Sequence, residues 1–388
     1  MILPFISDAQ LFLSLLVTGL VIVAWFGISA LMHARRRDAV PIRIHVAGSR
    51  GKTSVTRLLG AALREAGIST LVKTTGTDPL LVLPDGTEQS WPRWAPPSIS
   101  EQIRFFRRAN KEKAQAVVLE SMAIEPEYLW ASERYLVHAT HTVVTNARPD
   151  HAEVVGNEPL AAAHALSLVL PLKGKLVVAD EAANGPISGR MHAYPDGASR
   201  TIVVPTAQLH HDVANRKLAL AVTRDLGIAD EVAIAGFDKA GSDPGAFFVQ
   251  TGKIEGRGFR FANAFSCNDP LSLAQLWEEN ADREKQVILF NPRADRPERT
   301  RAFLSALPAL NPAVQQVYVA GFVPARWVRQ AGLPVDAVRK LPTRDPAKAL
   351  SFLSEVAGPN GLIWGTGNYS RFGKGIITLL HRLEARPC

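Results

Sequence analysis

Apolar positions open the chain as an unbroken block with no period. Residues 11–32 hold 22 residues without a charge, which as a helix covers roughly 33 Å and crosses a bilayer. From Pro41 the pattern changes to short β-branched runs alternating with segments of helical period. Ile42, Ile44 and Val46 mark a buried strand over Ile42–Ala47. Val55, Leu58, Leu59, Ala62 and Leu63 recur at i, i+3, i+4, i+7 and i+8, one face of a helix that stops at Gly67. Further strands are predicted at Thr70–Lys73, Ala116–Glu120, 142–145 and 176–179. Helices lie between them, one starting near Ser98, where Ser98-x-x-Glu101 matches a capping box. Residues 213–226, closed by Gly227, read as a later helix. A second α/β run follows a change of composition at 261–268: a helix near 271–280, a strand at 287–290 and a helix after Pro297. Strands near 317–320 and 362–364 and a final helix from about Gly375 complete it. Such alternation implies an α/β fold of right-handed βαβ units, with mostly parallel sheets and ligands at the strand carboxyl ends. The expected organisation is an anchor over 1–40, a P-loop domain over 41–262 and a smaller Rossmann-like α/β domain over 263–388.

Charge gives the first segment a direction. Arg35, Arg36 and Arg37 follow the apolar block at once, whereas residues 1–10 carry only Asp8. The positive-inside rule then puts the amino terminus outside and everything after His33 in the cytoplasm. A cleaved signal peptide would carry its positive charges before a shorter apolar core. The net charge of +8 is scattered, and no stripe interleaves basic and aromatic residues, so nucleic acid is not an expected partner. A positive field around anionic substrates accounts for it. Cys267 and Cys388 are too few for a disulfide framework and fit a reducing compartment.

The chemistry concentrates after the first strand. Gly48-Ser49-Arg50-Gly51-Lys52-Thr53-Ser54 joins that strand to a helix. Backbone N–H groups and a helix amino terminus there suit a phosphate, with Lys52 reaching the β/γ-phosphates and Thr53 holding a divalent cation. Glu120 ends an apolar strand, the expected place for a carboxylate ligand opposite such a loop. Asn291-Pro-Arg293-Ala-Asp295-Arg296 also follows a strand and can bring guanidinium groups to phosphate or carboxylate. Gly365-Thr-Gly367-Asn368 lies at another strand end.

The compact glycine spacing, with Val46 where a P-loop usually has its first glycine, resembles the Mur ligase superfamily, whose members make amide bonds after activating a carboxylate with ATP. Leu119-Glu120-Ser121 is similar to that family's metal-holding strand end. Thr145-Asn146-Ala-Arg148-Pro-Asp150-His151 is similar to its T-N-x-x-x-D-H segment, whose His contacts a second metal or orients the acyl phosphate. Asn263-Ala-Phe-Ser-Cys-Asn268-Asp269-Pro270 resembles the start of the carboxyl-terminal Mur domain, where the chain touches ATP. The resemblance therefore implies ATP with Mg²⁺ or Mn²⁺ and catalytic Lys52, Glu120 and His151. It implies metal contacts from Thr53, Glu120 and His151, and nucleotide contacts from residues 48–54, Asn268 and Arg293. One departure stands out. Many Mur ligases carry a carbamoylated lysine some fifteen residues beyond the His, whereas here the first lysine is Lys173. His164 falls nearby, on an Ala-rich helix where a partly buried, non-ligating histidine is expected.

Arg50 in place of the usual Asn, Lys73-Thr-Thr-Gly-Thr77 after the second strand, and a membrane span in place of a sugar-nucleotide domain narrow the resemblance to the poly-γ-glutamate synthase ligases. That branch implies glutamate and a growing poly-γ-glutamate chain as substrates. It also implies small membrane subunits as partners and a cell-membrane location with cytoplasmic catalytic domains; an oligomer is compatible with it. Another membrane-anchored Mur-like ligase, a P-loop kinase or ATPase, and a nucleotide-gated scaffold are the alternative classes.

Overall fold

The computed structural model describes residues 8–75, 79–93, 96–148, 152–156, 158, 160–241, 247–267, 270–280, 285–293, 297–310, 314–369 and 371–384. The chain divides into two compact units, Met1–Gly241 and Ser242–Cys388.

The first unit begins with α1 (Asp8–Asp38), β1 (Ile42–Ala47), α2 (Lys52–Glu65) and β2 (Thr70–Lys73). It continues through β3 (Leu80–Val82), β4 (Glu88–Ser90), α3 (Glu101–Lys111), β5 (Ala116–Glu120), α4 (Pro126–Ala131) and a π-helical turn at Ser132–Val137. Then come β6 (His141–Val144), α5 (Ala152–Val155), α6 (Ala161–Leu166), β7 (Lys175–Ala179), α7 (Pro186–His192), β8 (Thr201–Val204), α8 (His211–Asp225) and α9 (Asp230–Lys239). The strands form one sheet in the order β4-β3-β2-β5-β1-β6-β7-β8. β2, β5, β1, β6, β7 and β8 run parallel, and the β3–β4 hairpin adds an antiparallel edge. β1 sits between β5 and β6, so the carboxyl edge beside it is a switch point of the kind that holds ligands. Side chains alternate across the strand as its pleat demands. Ile44 and Val46 join Val55, Leu59 and Leu63 of α2 in one core, while Ala47 joins Leu166 and Met191 on the other face.

Residues 11–32 of α1 lie exposed, and among the described residues this is the single helix long and apolar enough to cross a membrane. Beyond Met32 the helix docks on the first unit. His33 is buried with its ring edge-on to Phe106 at 5.7 Å, and its Nε2 donates to the Leu136 carbonyl at 2.9 Å. Arg37 donates to the Tyr135 carbonyl at 3.2 Å, and the Asn110 amide donates to the Arg36 carbonyl at 2.7 Å. These bonds tie α1 to α3 and to the π-helical turn.

The expected capping box at Ser98 does not form. α3 begins at Glu101 without a side-chain cap, because the Glu101 carboxylate is drawn to Lys73 (2.8 Å) and Arg93 (2.8 Å) and does not turn back to its own backbone.

The second unit contains β9 (Val249–Ile254), β10 (Arg257–Ala264), α10 (Pro270–Asn280), β11 (Gln286–Asn291), α11 (Pro297–Leu310) and β12 (Val314–Val319). It ends with α12 (Ala325–Gln330), β13 (Val338–Lys340), α13 (Pro346–Ala357), β14 (Leu362–Gly367) and α14 (Phe372–Glu384). Its sheet runs β13-β12-β11-β14-β10-β9, parallel except for β9. The composition-based boundary at residue 262 falls inside β10. That strand pairs with β14 and packs Phe259 and Phe261 against α13 and α14, so the hairpin before residue 262 belongs to the second sheet.

Candidate active site

β1 delivers its last residue to a loop that only glycine can close in two places. Gly48 has φ +135° and its Cα faces Thr145 so closely that a Cβ would overlap the Thr145 hydroxyl. Gly51 has φ +76°, the left-handed region, and caps α2 through its backbone geometry alone. The loop is braced from the strand end next door. Thr145 Oγ1 donates to the Arg50 carbonyl at 2.5 Å, Asn146 Nδ2 donates to the same oxygen at 3.1 Å, and Asn146 Oδ1 accepts from the Arg50 N–H at 3.0 Å. The Ser49 hydroxyl donates to the Arg148 carbonyl at 2.6 Å. Thr145 and Asn146 therefore position the loop, a role that their place directly after an apolar strand signals but does not specify.

Lys52 opens α2, whose first turn carries no acidic residue, so the positive end of the helix dipole is not offset there. Lys52 Nζ donates to the Gly48 carbonyl at 2.7 Å and reaches Ser49 O at 3.4 Å, which holds the ammonium over the loop. Thr53, one residue on, donates its hydroxyl to Glu120 Oε2 at 3.0 Å. Glu120 is buried, and the same oxygen accepts from the Thr75 N–H at 2.8 Å. The sequence expectation that Thr53 and Glu120 lie together is met in the geometry, although they stand 67 residues apart. The Ser121 hydroxyl beside them is buried without a hydrogen-bond partner among the described residues. The Glu120 carboxylate and the Thr53 hydroxyl are an all-oxygen donor pair that suits a hard divalent cation, so these residues fit Mg²⁺.

Asp150 and His151 lie outside the described residues, as do Gly76 and Thr77. His164 is exposed on α6, not partly buried as expected, because the alanines around it turn the opposite face of that short helix inward.

In the second unit, Asn268 lies outside the described residues. Arg293 is half-buried in the loop after β11, and its backbone N–H meets Thr300 Oγ1 at 3.3 Å. Asn291 at the end of β11 donates to the Asn368 carbonyl at 2.6 Å, and Arg299 Nη2 donates to the Gly367 carbonyl at 3.0 Å and the Cys267 carbonyl at 3.3 Å. Those bonds draw the loops after β10, β11 and β14 together at one edge of the second sheet.

Comparison with known proteins places these features. Residues 46–187 match the Mur ligase middle domain, and residues 248–383 match the poly-gamma-glutamate synthase CapB C-terminal domain. The PGA synthase CapB of Bacillus subtilis is 28% identical over 374 residues, covering 91% of this chain and 94% of that protein. The capsule biosynthesis protein CapB of Bacillus anthracis is 30% identical over 287 residues, covering 70% of this chain and 61% of that longer protein. Among solved structures, the bifunctional folylpolyglutamate synthase/dihydrofolate synthase of Yersinia pestis complexed with AMPPNP and a Mn ion superposes with a TM-score of 0.64. It is 17% identical and covers 92% of this chain and 93% of its own, a likeness of fold.

Proposed function

We infer the reaction of this chain from its family: it belongs to the Mur ligase superfamily, as an ATP-dependent ligase of the poly-γ-glutamate synthase type. The proposed reaction joins glutamate units through the side-chain carboxylate. A carboxylate oxygen of the acceptor attacks the γ-phosphorus of ATP, the bond to ADP breaks, and an acyl phosphate forms. The amine of the incoming unit then attacks the acyl carbon and gives up a proton. Phosphate departs with the former carboxylate oxygen and the amide remains. Carboxylate and amine do not condense unaided in water, and this activation supplies the leaving group.

The chain's own residues hold and orient in this scheme. Lys52 and the N–H groups of residues 48–54 bind the nucleotide phosphates. Thr53 and Glu120 would hold Mg²⁺, which when bound neutralises charge on the phosphate oxygens. His151 orients the acyl phosphate, and Arg293 and Asn268 are further proposed nucleotide contacts. Positioning two anions and stabilising developing charge account for most of the acceleration in such chemistry. The further elements of the proposal are a cytoplasmic active site on a single-pass membrane protein, a growing poly-γ-glutamate chain as acceptor, and small membrane subunits as partners.

The observation that carries this reading is the Thr53–Glu120 contact, with Glu120 buried, beside the lysine-bearing loop. Hydroxylamine added to enzyme, ATP, Mg²⁺ and glutamate should trap a hydroxamate in an ATP-dependent manner, with ADP and phosphate released. Appearance of AMP and pyrophosphate would instead mean activation through an adenylate. ATP turnover indifferent to added glutamate would favour an ATPase.

A further inference from the structure

The end of α1 fixes the depth of a neighbouring surface. Given the membrane-span reading on which this argument rests, Met32 ends the apolar stretch, and His33 to Arg37 lie roughly 1.5–7.5 Å beyond it along the helix. The headgroup layer on each side of a bilayer core is about 5–7 Å thick. The residues hydrogen-bonded to that turn must lie at the same level. They are the Leu136 and Tyr135 carbonyls on the π-helical turn and Asn110 on α3, with Phe106 edge-on to His33.

What this region shows to solvent is unusual for a free surface. Tyr135 is 58% exposed and Trp130 38% exposed, their rings edge-to-face at 5.3 Å, and Tyr128, on the same short helix as Trp130, is 53% exposed. Arg134 precedes Tyr135, and Arg107 and Lys111 flank Asn110 on α3; all three are exposed. The exposed acids at this level are Glu127 and Asp38, the latter paired with Arg37, while Glu112 is paired with Arg108 and Glu133 is buried against His45. Tyr and Trp favour the membrane interface because one end of each ring system is apolar and the other polar. Exposed Arg and Lys at that depth meet anionic lipid.

We propose that the surface formed by Tyr128, Trp130, Tyr135, Arg134, Arg107 and Lys111 is a second membrane contact, seated in the anionic headgroup layer of the same bilayer that α1 crosses. Two contacts a few residues apart in space restrain rotation about the α1 axis, which a lone span leaves free.

The test uses the full chain in nanodiscs and compares Trp fluorescence of wild type, Trp25→Phe and Trp130→Phe. Lipid brominated at mid-chain should quench Trp25, which reports the span. Lipid spin-labelled at the headgroup should quench Trp130, so the quenched fraction should fall in Trp130→Phe. Quenching by labelled phosphatidylserine should exceed that by labelled phosphatidylcholine. That preference should shrink in 0.5 M salt and by on the order of fivefold for each charge removed among Arg107→Gln, Lys111→Gln and Arg134→Gln. A Trp130 untouched by the headgroup label while Trp25 is quenched overturns the second contact and leaves the span standing. A Trp25 untouched by mid-chain bromine overturns the span, and the proposal with it. Equal quenching by the two labelled headgroups overturns the electrostatic part.

Discussion

At the scale of single residues, the phosphate loop rests on groups with little to do with packing. Lys52 sets its ammonium over loop carbonyls and is no member of the hydrophobic core of the first unit, so its removal leaves that core untouched. Lys52→Ala should therefore keep the thermal transition of the wild type and lose ATP-dependent product formation. Removing one oriented charge at a transferring phosphoryl group costs on the order of 10²-fold or more in kcat. Wild-type turnover by this variant would refute the phosphate-loop assignment. The lysine and its two glycines were legible because a strand, a tight turn and a helix must each declare themselves locally. Thr145 and Asn146 were visible as a motif, but their work as braces depends on β6 lying beside β1, which no local pattern states.

At the scale of elements, Lys73 shows where reading from sequence stops. It ends β2, where a lysine would ordinarily reach water, yet it is 2% exposed. Glu101 from α3 pairs with it, Arg93 shares that carboxylate, and the Trp91 ring lies 5.2 Å from the ammonium. Burial pushes the Lys73 ammonium below the ordinary lysine range, and the hydrogen bond and charge of Glu101 work against that shift. Breaking such a pair from one side strands a buried charge, at a cost of about 3–5 kcal/mol. Glu101→Gln should lower the urea midpoint of the first unit by a corresponding amount. Lys73→Met should cost less, since Arg93 still satisfies Glu101. Equal effects from the two substitutions would show that the pair is solvated. The parallel strands β1, β2, β5, β6, β7, β11, β12 and β14 were legible from their apolar runs, whereas the parallel β8, β10 and β13 were not. β9 was not, because its exposed face alternates polar residues and its apolar partners, Phe259 and Phe261, sit on the next strand. The π-helical turn was invisible for a similar reason, since α1 supplies much of what holds it.

At the scale of the molecule, the proposed span and the cytoplasmic units predict behaviour in membranes. Carbonate washing should leave the protein in the pellet, and protease added outside intact cells should spare the carboxyl terminus. Release into the supernatant would remove the anchor from the account. The fold class and both α/β units follow from alternation alone, whereas the place of the join did not, because a boundary is set by which sheet a hairpin completes.

β1 starts just after α1 ends and carries the phosphate loop at its other end. Six residues of strand put roughly 20 Å between the anchor and that loop. The proposed polymer is thus made at the edge of the sheet remote from where α1 docks. Even fully stretched, ordinary peptide needs at least about six residues to span that distance. On the proposed membrane assembly, a product chain accordingly has a threshold length: shorter oligomers stay within the enzyme's own shadow, and chains past it reach the level of the proposed membrane partners.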